Sequence, residues 1–170
     1  AELAMAAARF EVEVADDDPG DGVTFLLAAN PGVEPGPLSK VASGGELARS
    51  MLALRLVLSA APGVLVFDEV DAGIGGQAAV AVGRALAQLG EEHQVLVVTH
   101  LPQVAVFAHQ QVHVAKAVHA GVTTASGTVL DADGRVAEVS RMLSGTPESD
   151  ATRDAAKELL TWAAAERDGS

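Results

Sequence analysis

The sequence predicts an α/β chain: a parallel sheet core flanked by helices, with a small β-hairpin at the N-terminal end. Three observations predict it. Periodic segments follow the order strand, helix, strand, helix, strand. Two short unbroken apolar runs, VLVF at 64–67 and VLVV at 95–98, have the form of strands buried on both faces. The composition is 49% hydrophobic but only 3% aromatic. Richness in alanine, valine, leucine and glycine suits helices on such a sheet better than an aromatic-cored sandwich. At 170 residues the chain has the size of one ordinary domain.

The elements follow in order. Residues 1–8 have the character of the end of a helix already under way. RFEVEV (9–14) alternates apolar and polar residues as a half-exposed strand does. DDDPGDG (16–22) is a turn cluster and VTFLLA (23–28) a second strand, which together make a hairpin. NPGVEPGP (30–37) is too rich in proline and glycine to be helical. From Gly45 the period changes: Leu47, Met51, Leu54 and Leu58 fall on one helical face, closed by Pro62 and Gly63. Strand 64–67 leads to a helix over 75–90, then strand 95–98, then a short helix over 101–109 with proline near its start. QVHVAKAV (111–118) and VTTASGTVL (122–130) are expected as edge strands. Residues 136–143 and 148–166 are expected as two helices, with Trp162 in their packing.

Charge and residue usage narrow the function. A formal net charge of −12 makes the chain as a whole a poor match for a phosphate backbone. With no cysteine there is no disulfide framework and no thiolate chemistry, which is compatible with the cytosol. No apolar run reaches the ~20 residues of a membrane helix, and no basic-then-apolar leader is present. His109 and His113 are four apart, but in a strand that spacing does not bring two imidazoles together, so no metal site is expected there. The carboxylates at 16–18 lack the ordered spacing of a Ca²⁺ loop and suit a solvated one.

Chemistry is expected beyond the carboxyl ends of the two apolar strands, where open parallel sheets hold ligands. The first strand ends in Asp68 and Glu69, the second in Thr99 and His100. Asp68 in that position suits Mg²⁺ bridging nucleotide phosphates. Glu69 suits the orientation or deprotonation of an attacking water, and His100 contact with the γ-phosphate or that water. Upstream, SGGE at 43–46 places Gly44 and Gly45 at the start of a helix, where glycine is otherwise unfavourable. Unpaired N–H groups and a partial positive charge make such a tip an anion site, and glycine lets the backbone come close. Ser43 and Glu46 also fit a capping box, which accounts for them but not for the glycines.

These residues carry a resemblance. VASGGELARSMLALRLVL is similar to the signature motif of ABC-type ATPases in the form used by the SMC-like branch. VLVFDEVDAGIGG looks like Walker B followed by the D-loop, and VLVVTHLPQVA like the switch-histidine segment. The match is strong over roughly residues 38–116 and is to the C-terminal half of a bacterial DNA double-strand-break repair head.

The resemblance implies an ATP- and Mg²⁺-dependent ATPase whose nucleotide is sandwiched between two heads. Asp68 would bind the metal, and Glu69 and His100 would serve hydrolysis. Ser43, Gly44, Gly45 and Glu46 would meet the γ-phosphate of a nucleotide held by the partner, and Asp71 would couple the two sites. It implies three partners: an N-terminal half carrying Walker A, a second head, and DNA through the full-length protein. It implies a cytoplasmic, nucleoid-associated location, with no membrane. The chain has no G-x-x-x-x-G-K-[ST] and no Q-loop, so it corresponds to half a head, with residues 1–8 as the returning end of a coiled-coil arm, and is expected to be inactive alone. The alternatives are a non-catalytic interaction module that keeps the fold, and a fragment of an ABC transporter ATPase, against which SGGE and FDEVDAGIGG speak.

Overall fold

The computed structural model describes residues 3, 5, 7–15, 22–57, 63–119, 122–145 and 149–168. The chain gathers into two compact units, Ala1–Thr99 and His100–Ser170.

The first unit opens on the expected hairpin. Strands β1 (Arg9–Val14) and β2 (Val23–Ala28) pair antiparallel from Arg9↔Ala28 to Val14↔Val23. Phe10 and Phe25 pack with ring centroids 5.6 Å apart. Only the end of β2 is buried, at Leu26, Leu27 and Ala28, where the two-residue β3 (Gly36–Pro37) adds to its other side. A single helical turn, α1 (Leu38–Val41), then leads to α2 (Gly44–Val57). Most of the expected helix end at 1–8, the loop at 16–21 and residues 58–62, which include the expected stop at Pro62, lie outside the described residues.

Helix α3 (Gly76–Leu89) connects β4 (Val64–Phe67) to β5 (Gln94–Val97), and the two strands run parallel from Val64↔Gln94 to Phe67↔Val97. Ala79, Val82, Gly83, Leu86 and Leu89 are buried along one face of α3, at the spacing that holds a crossover helix on a sheet. The pairing runs one bond past β5, with Val98 N–H donating to Phe67 O at 2.9 Å.

Two expectations need correction. Leu47 and Met51, expected on the buried face of α2, are each 39% exposed. The buried residues are Gly45, Arg49, Ser50 and Leu52. Large apolar side chains occur around much of this helix, so periodicity does not single out a face; the side that Gly45 opens approaches the neighbouring loop. Strands β4 and β5 are also not buried on both faces. Leu65 and Phe67 are buried, whereas Val66 is 67% exposed and Val64, Leu96 and Val98 are exposed with it. Parallel strands need a layer on each side, and the described residues of this unit supply only one.

In the second unit, α4 (Pro102–Ala105) begins with proline at its first position. Strands β6 (Val112–His119) and β7 (Val122–Val129), expected as edge strands, pair with each other antiparallel from Val112↔Val129 to His119↔Val122. Helix α5 (Ala132–Ser144) is capped by Asp131, whose carboxylate accepts from Gly134 N–H at 2.8 Å, and ends at Gly145 with φ +64°. It packs against α6 (Asp150–Asp168), where Ser140 Oγ donates to Thr152 Oγ1 at 2.9 Å. Phe107 meets Trp162 edge to face at 5.5 Å, which places the tryptophan in packing as expected.

Candidate functional site

The tip of α2 is a reciprocal capping box. Ser43 N–H and Ser43 Oγ each donate to Glu46 Oε2 at 2.8 Å, and Glu46 N–H donates back to Ser43 Oγ at 3.3 Å. The Ser43 N–H bond and then the Ser43 hydroxyl hold the Glu46 carboxyl below its ordinary range; burial opposes them, and the Arg49 charge adds a smaller lowering. Ser43 and Gly44 are exposed; Gly45 is buried.

The two glycines have a steric reason. A Cβ on Gly44 would lie 2.5 Å from Glu69 Oε2. One on Gly45 would lie 2.7 Å from the carbonyl oxygen of Ala72 and 2.9 Å from Arg49 Nη1. The helix tip and the loop after β4 therefore approach closely, against a movable side chain at Gly44 and against fixed backbone at Gly45. Arg49, one turn further on and only 5% exposed, crosses the same contact. Its Nη1 donates to Ala72 O at 3.0 Å and to Val70 O at 3.4 Å. Burial pushes its guanidinium below its usual value, partly offset by Glu46. Arg49 was not foreseen from the sequence; the available signal was an arginine four residues after a helix-leading glycine, on the same helical face.

The loop after β4 is a run of turns. Asp68 Oδ1 accepts from Glu69 N–H at 2.9 Å, Ala72 N–H donates to Glu69 O at 3.0 Å, and Ile74 N–H donates to Asp71 O at 3.4 Å. Glu69 has φ +57°, the left-handed region that a residue with a side chain rarely adopts. That conformation costs about 1 kcal/mol and is concentrated at functional positions. Asp68 and Glu69 are exposed, whereas Asp71 is 2% exposed and accepts a hydrogen bond from Thr99 Oγ1. That bond ties the turn after β4 to the residue that follows β5.

The first unit thus brings Gly44, Gly45 and Arg49 against Glu69, Val70 and Ala72, and Asp71 against Thr99. His100 is exposed and is the first residue of the second unit. Asp68 offers a hard, exposed oxygen. Among the described residues no three His, Cys, Asp or Glu side chains converge into a metal cage. One carboxylate without a cage fits Mg²⁺, which takes one or two carboxylates and fills its other positions with phosphates and water. Among the described residues no helix is long and apolar enough to cross a membrane. His113 meets a carboxylate rather than a second imidazole, with Nδ1 3.3 Å from Glu138 Oε2.

A βαβ unit with an acidic strand end, a glycine-led helix tip packed on the following loop and an N-terminal hairpin give the chain the fold of an SMC-type head domain. The Smc head domain of Pyrococcus yayanosii with a coiled coil and joint superposes with a TM-score of 0.60 over 84% of this chain and 27% of that one, at 18% identity. An SmcHead bound to the C-winged helix domain of ScpA gives 0.53 over 75% and 40%, at 20% identity.

Within that class the chain belongs to the family of DNA repair protein RecN and matches its C-terminal part. It is 46% identical to the Vibrio cholerae protein of that name over 167 residues, covering 94% of this chain and 30% of the relative. It is 55% identical to the Mycobacterium leprae protein over 145 residues, 82% and 24%, and 53% identical to that of Deinococcus radiodurans over 138 residues, 81% and 24%. The chain spans less than a third of the length of these relatives. No protein-family model matches it.

Proposed function

We propose that this chain is the signature-bearing half of an ATP-hydrolysing head in a protein of DNA double-strand-break repair. The observation that carries the reading is the close seating of the glycine-led tip of α2 on the loop that holds Glu69 and Ala72. One rigid contact then joins the residues that serve two different nucleotides.

Asp68 is the residue that would hold Mg²⁺, whose chemistry when bound is to neutralise charge on the nucleotide's phosphates. Glu69, held at the strand end in a left-handed conformation, orients the attacking water and takes its proton. His100, leaving the second parallel strand, contacts the terminal phosphate or that water. Ser43, Gly44, Gly45 and Glu46 form the tip that meets the phosphate held by a second head. Asp71 couples the two sites from a buried position through Thr99. The remaining parts come from elsewhere: a Walker A segment for the same head, a second copy of the head, and DNA bound by the longer protein. We place that protein in the bacterial cytoplasm, at the nucleoid. The name of the relatives and the SMC-type fold both support this reading.

The test is reconstitution. This chain, mixed with a segment carrying the Walker A loop, should turn over Mg-ATP, and Glu69→Gln should abolish turnover while prolonging ATP-bound pairing of heads. Turnover of the variant at the parent rate removes Glu69 as the base; no turnover in the parent mixture favours a non-catalytic module.

A further inference from the structure

The hydrogen bonds of Arg49 go to the two flanks of Asp71. Nη1 donates to Val70 O at 3.4 Å and to Ala72 O at 3.0 Å. Those carbonyls belong to the peptide that enters Asp71 and the peptide that leaves Ala72, so the guanidinium holds the turn by its backbone. Two further bonds close the turn. Ala72 N–H donates to Glu69 O at 3.0 Å, and Thr99 Oγ1 donates to the buried Asp71 carboxylate from just past β5.

Packing does not call for an arginine at this position. Arg49 is buried, and burial opposes its charged form. Its Nε has no hydrogen-bond partner among the described residues. A methionine would fill the same space without that desolvation cost. What the guanidinium adds is direction, in donors aimed at backbone oxygens of another element. On its other side Arg49 feels the charge of Glu46, one turn back. Glu46 is fastened in turn to Ser43, whose N–H and hydroxyl each donate to it at 2.8 Å. Contacts therefore run without a break from Ser43 through Glu46 and Arg49 to the turn of Glu69 and Asp71.

We infer that Arg49 is a positioning residue for hydrolysis, which sets the turn of Glu69 and Asp71 from the tip of α2; this rests on the ATPase reading above, in which the tip meets a phosphate of the partner head and Glu69 prepares the water. Arg49 touches neither nucleotide. It fixes where Glu69 leaves the strand end and how the turn sits against Thr99. Its loss displaces the base without weakening the hold on ATP, which belongs to the Walker A segment. A misplacement of about 1 Å at such a group can cost about a hundredfold in rate.

The test has two arms. In the full chain alone, amide exchange is followed at Ala72 and Ile74, whose N–H groups donate within the turn. Arg49→Met keeps the bulk and removes the donors, so in folded protein it should speed exchange there about tenfold and leave α5 and α6 unchanged. In the mixture with a Walker A segment, Arg49→Met should lower kcat about tenfold, counted per bound ATP, with KM for ATP within about twofold of the parent. A purely structural role would instead lower ATP sites and turnover together. Arg49→Lys, which keeps a charged donor, should recover part of both effects. Unchanged exchange in folded Arg49→Met overturns the inference, as does a parent-level kcat per bound ATP. A parent mixture without turnover sinks the ATPase reading; a parent that turns over beside an unaltered Arg49→Met sinks the role of Arg49 alone.

Discussion

Arg49 Nη1 lies 3.0 Å from the carbonyl oxygen of Ala72, so a buried guanidinium in α2 holds the loop that follows β4. Arg49→Ala removes donors from Ala72 and Val70 and opens a cavity beneath Gly45. We expect a loss of about 2–3 kcal/mol, read from the urea midpoint. Arg49→Lys keeps the charge but not the fork and should fall between the two. A loss below about 0.5 kcal/mol would show that these bonds do not fasten the loop.

The two adjacent glycines should differ in tolerance. The atom that a Cβ on Gly44 would strike is the far end of the Glu69 side chain, which can swing away. The atom that a Cβ on Gly45 would strike is the backbone oxygen of Ala72, with the guanidinium of Arg49 behind it. Gly44→Ala should therefore change stability by less than about 1 kcal/mol, whereas Gly45→Ala should destabilise by about 1–3 kcal/mol. Thermal unfolding of the pair measures the contrast; equal effects would remove the steric account of the glycines.

Glu46 gives a pH signature. Its folded pKa lies below the ordinary 4.5, so the fold favours its charged form. The stability it contributes is complete above about pH 4.5 and is lost as pH falls through the lower folded value. Glu46→Gln keeps an acceptor for Ser43 but cannot titrate, so it should flatten that acid limb while leaving neutral stability within about 0.5 kcal/mol. Stability profiles between pH 3 and 7 that superpose for the two proteins would contradict the assignment.

Glu69 sits where a residue without a side chain would be more comfortable. Glu69→Gly should raise stability by up to about 1 kcal/mol, whereas Glu69→Ala should not. Denaturation midpoints separate the two. A gain in stability at the position proposed to activate water would mark a residue kept in strain for its chemistry.

Much of this architecture follows from local pattern. The hairpin, the two parallel strands, the crossover helix and the terminal helix pair fall within a few residues of their expected places, because turn residues and short valine runs are strong local signals. Burial was less accessible. Leu47 and Met51 follow a helical face, yet Gly45, Arg49 and Leu52 are the residues covered, since the choice of face depends on a loop more than fifteen residues away. The conformation of Glu69 and the contact of Asp71 with Thr99 are likewise set by tertiary structure, not by composition.

The exposed side of β4 and β5 has an energetic consequence. Val64, Val66, Leu96 and Val98 form an exposed hydrophobic stripe along the two strands. Each such side chain, when covered, contributes roughly 1.5–3 kcal/mol. Any segment that settles on the stripe therefore adds stability out of proportion to its length. Covering all four would be worth roughly 6–12 kcal/mol, the scale of a whole domain's net stability.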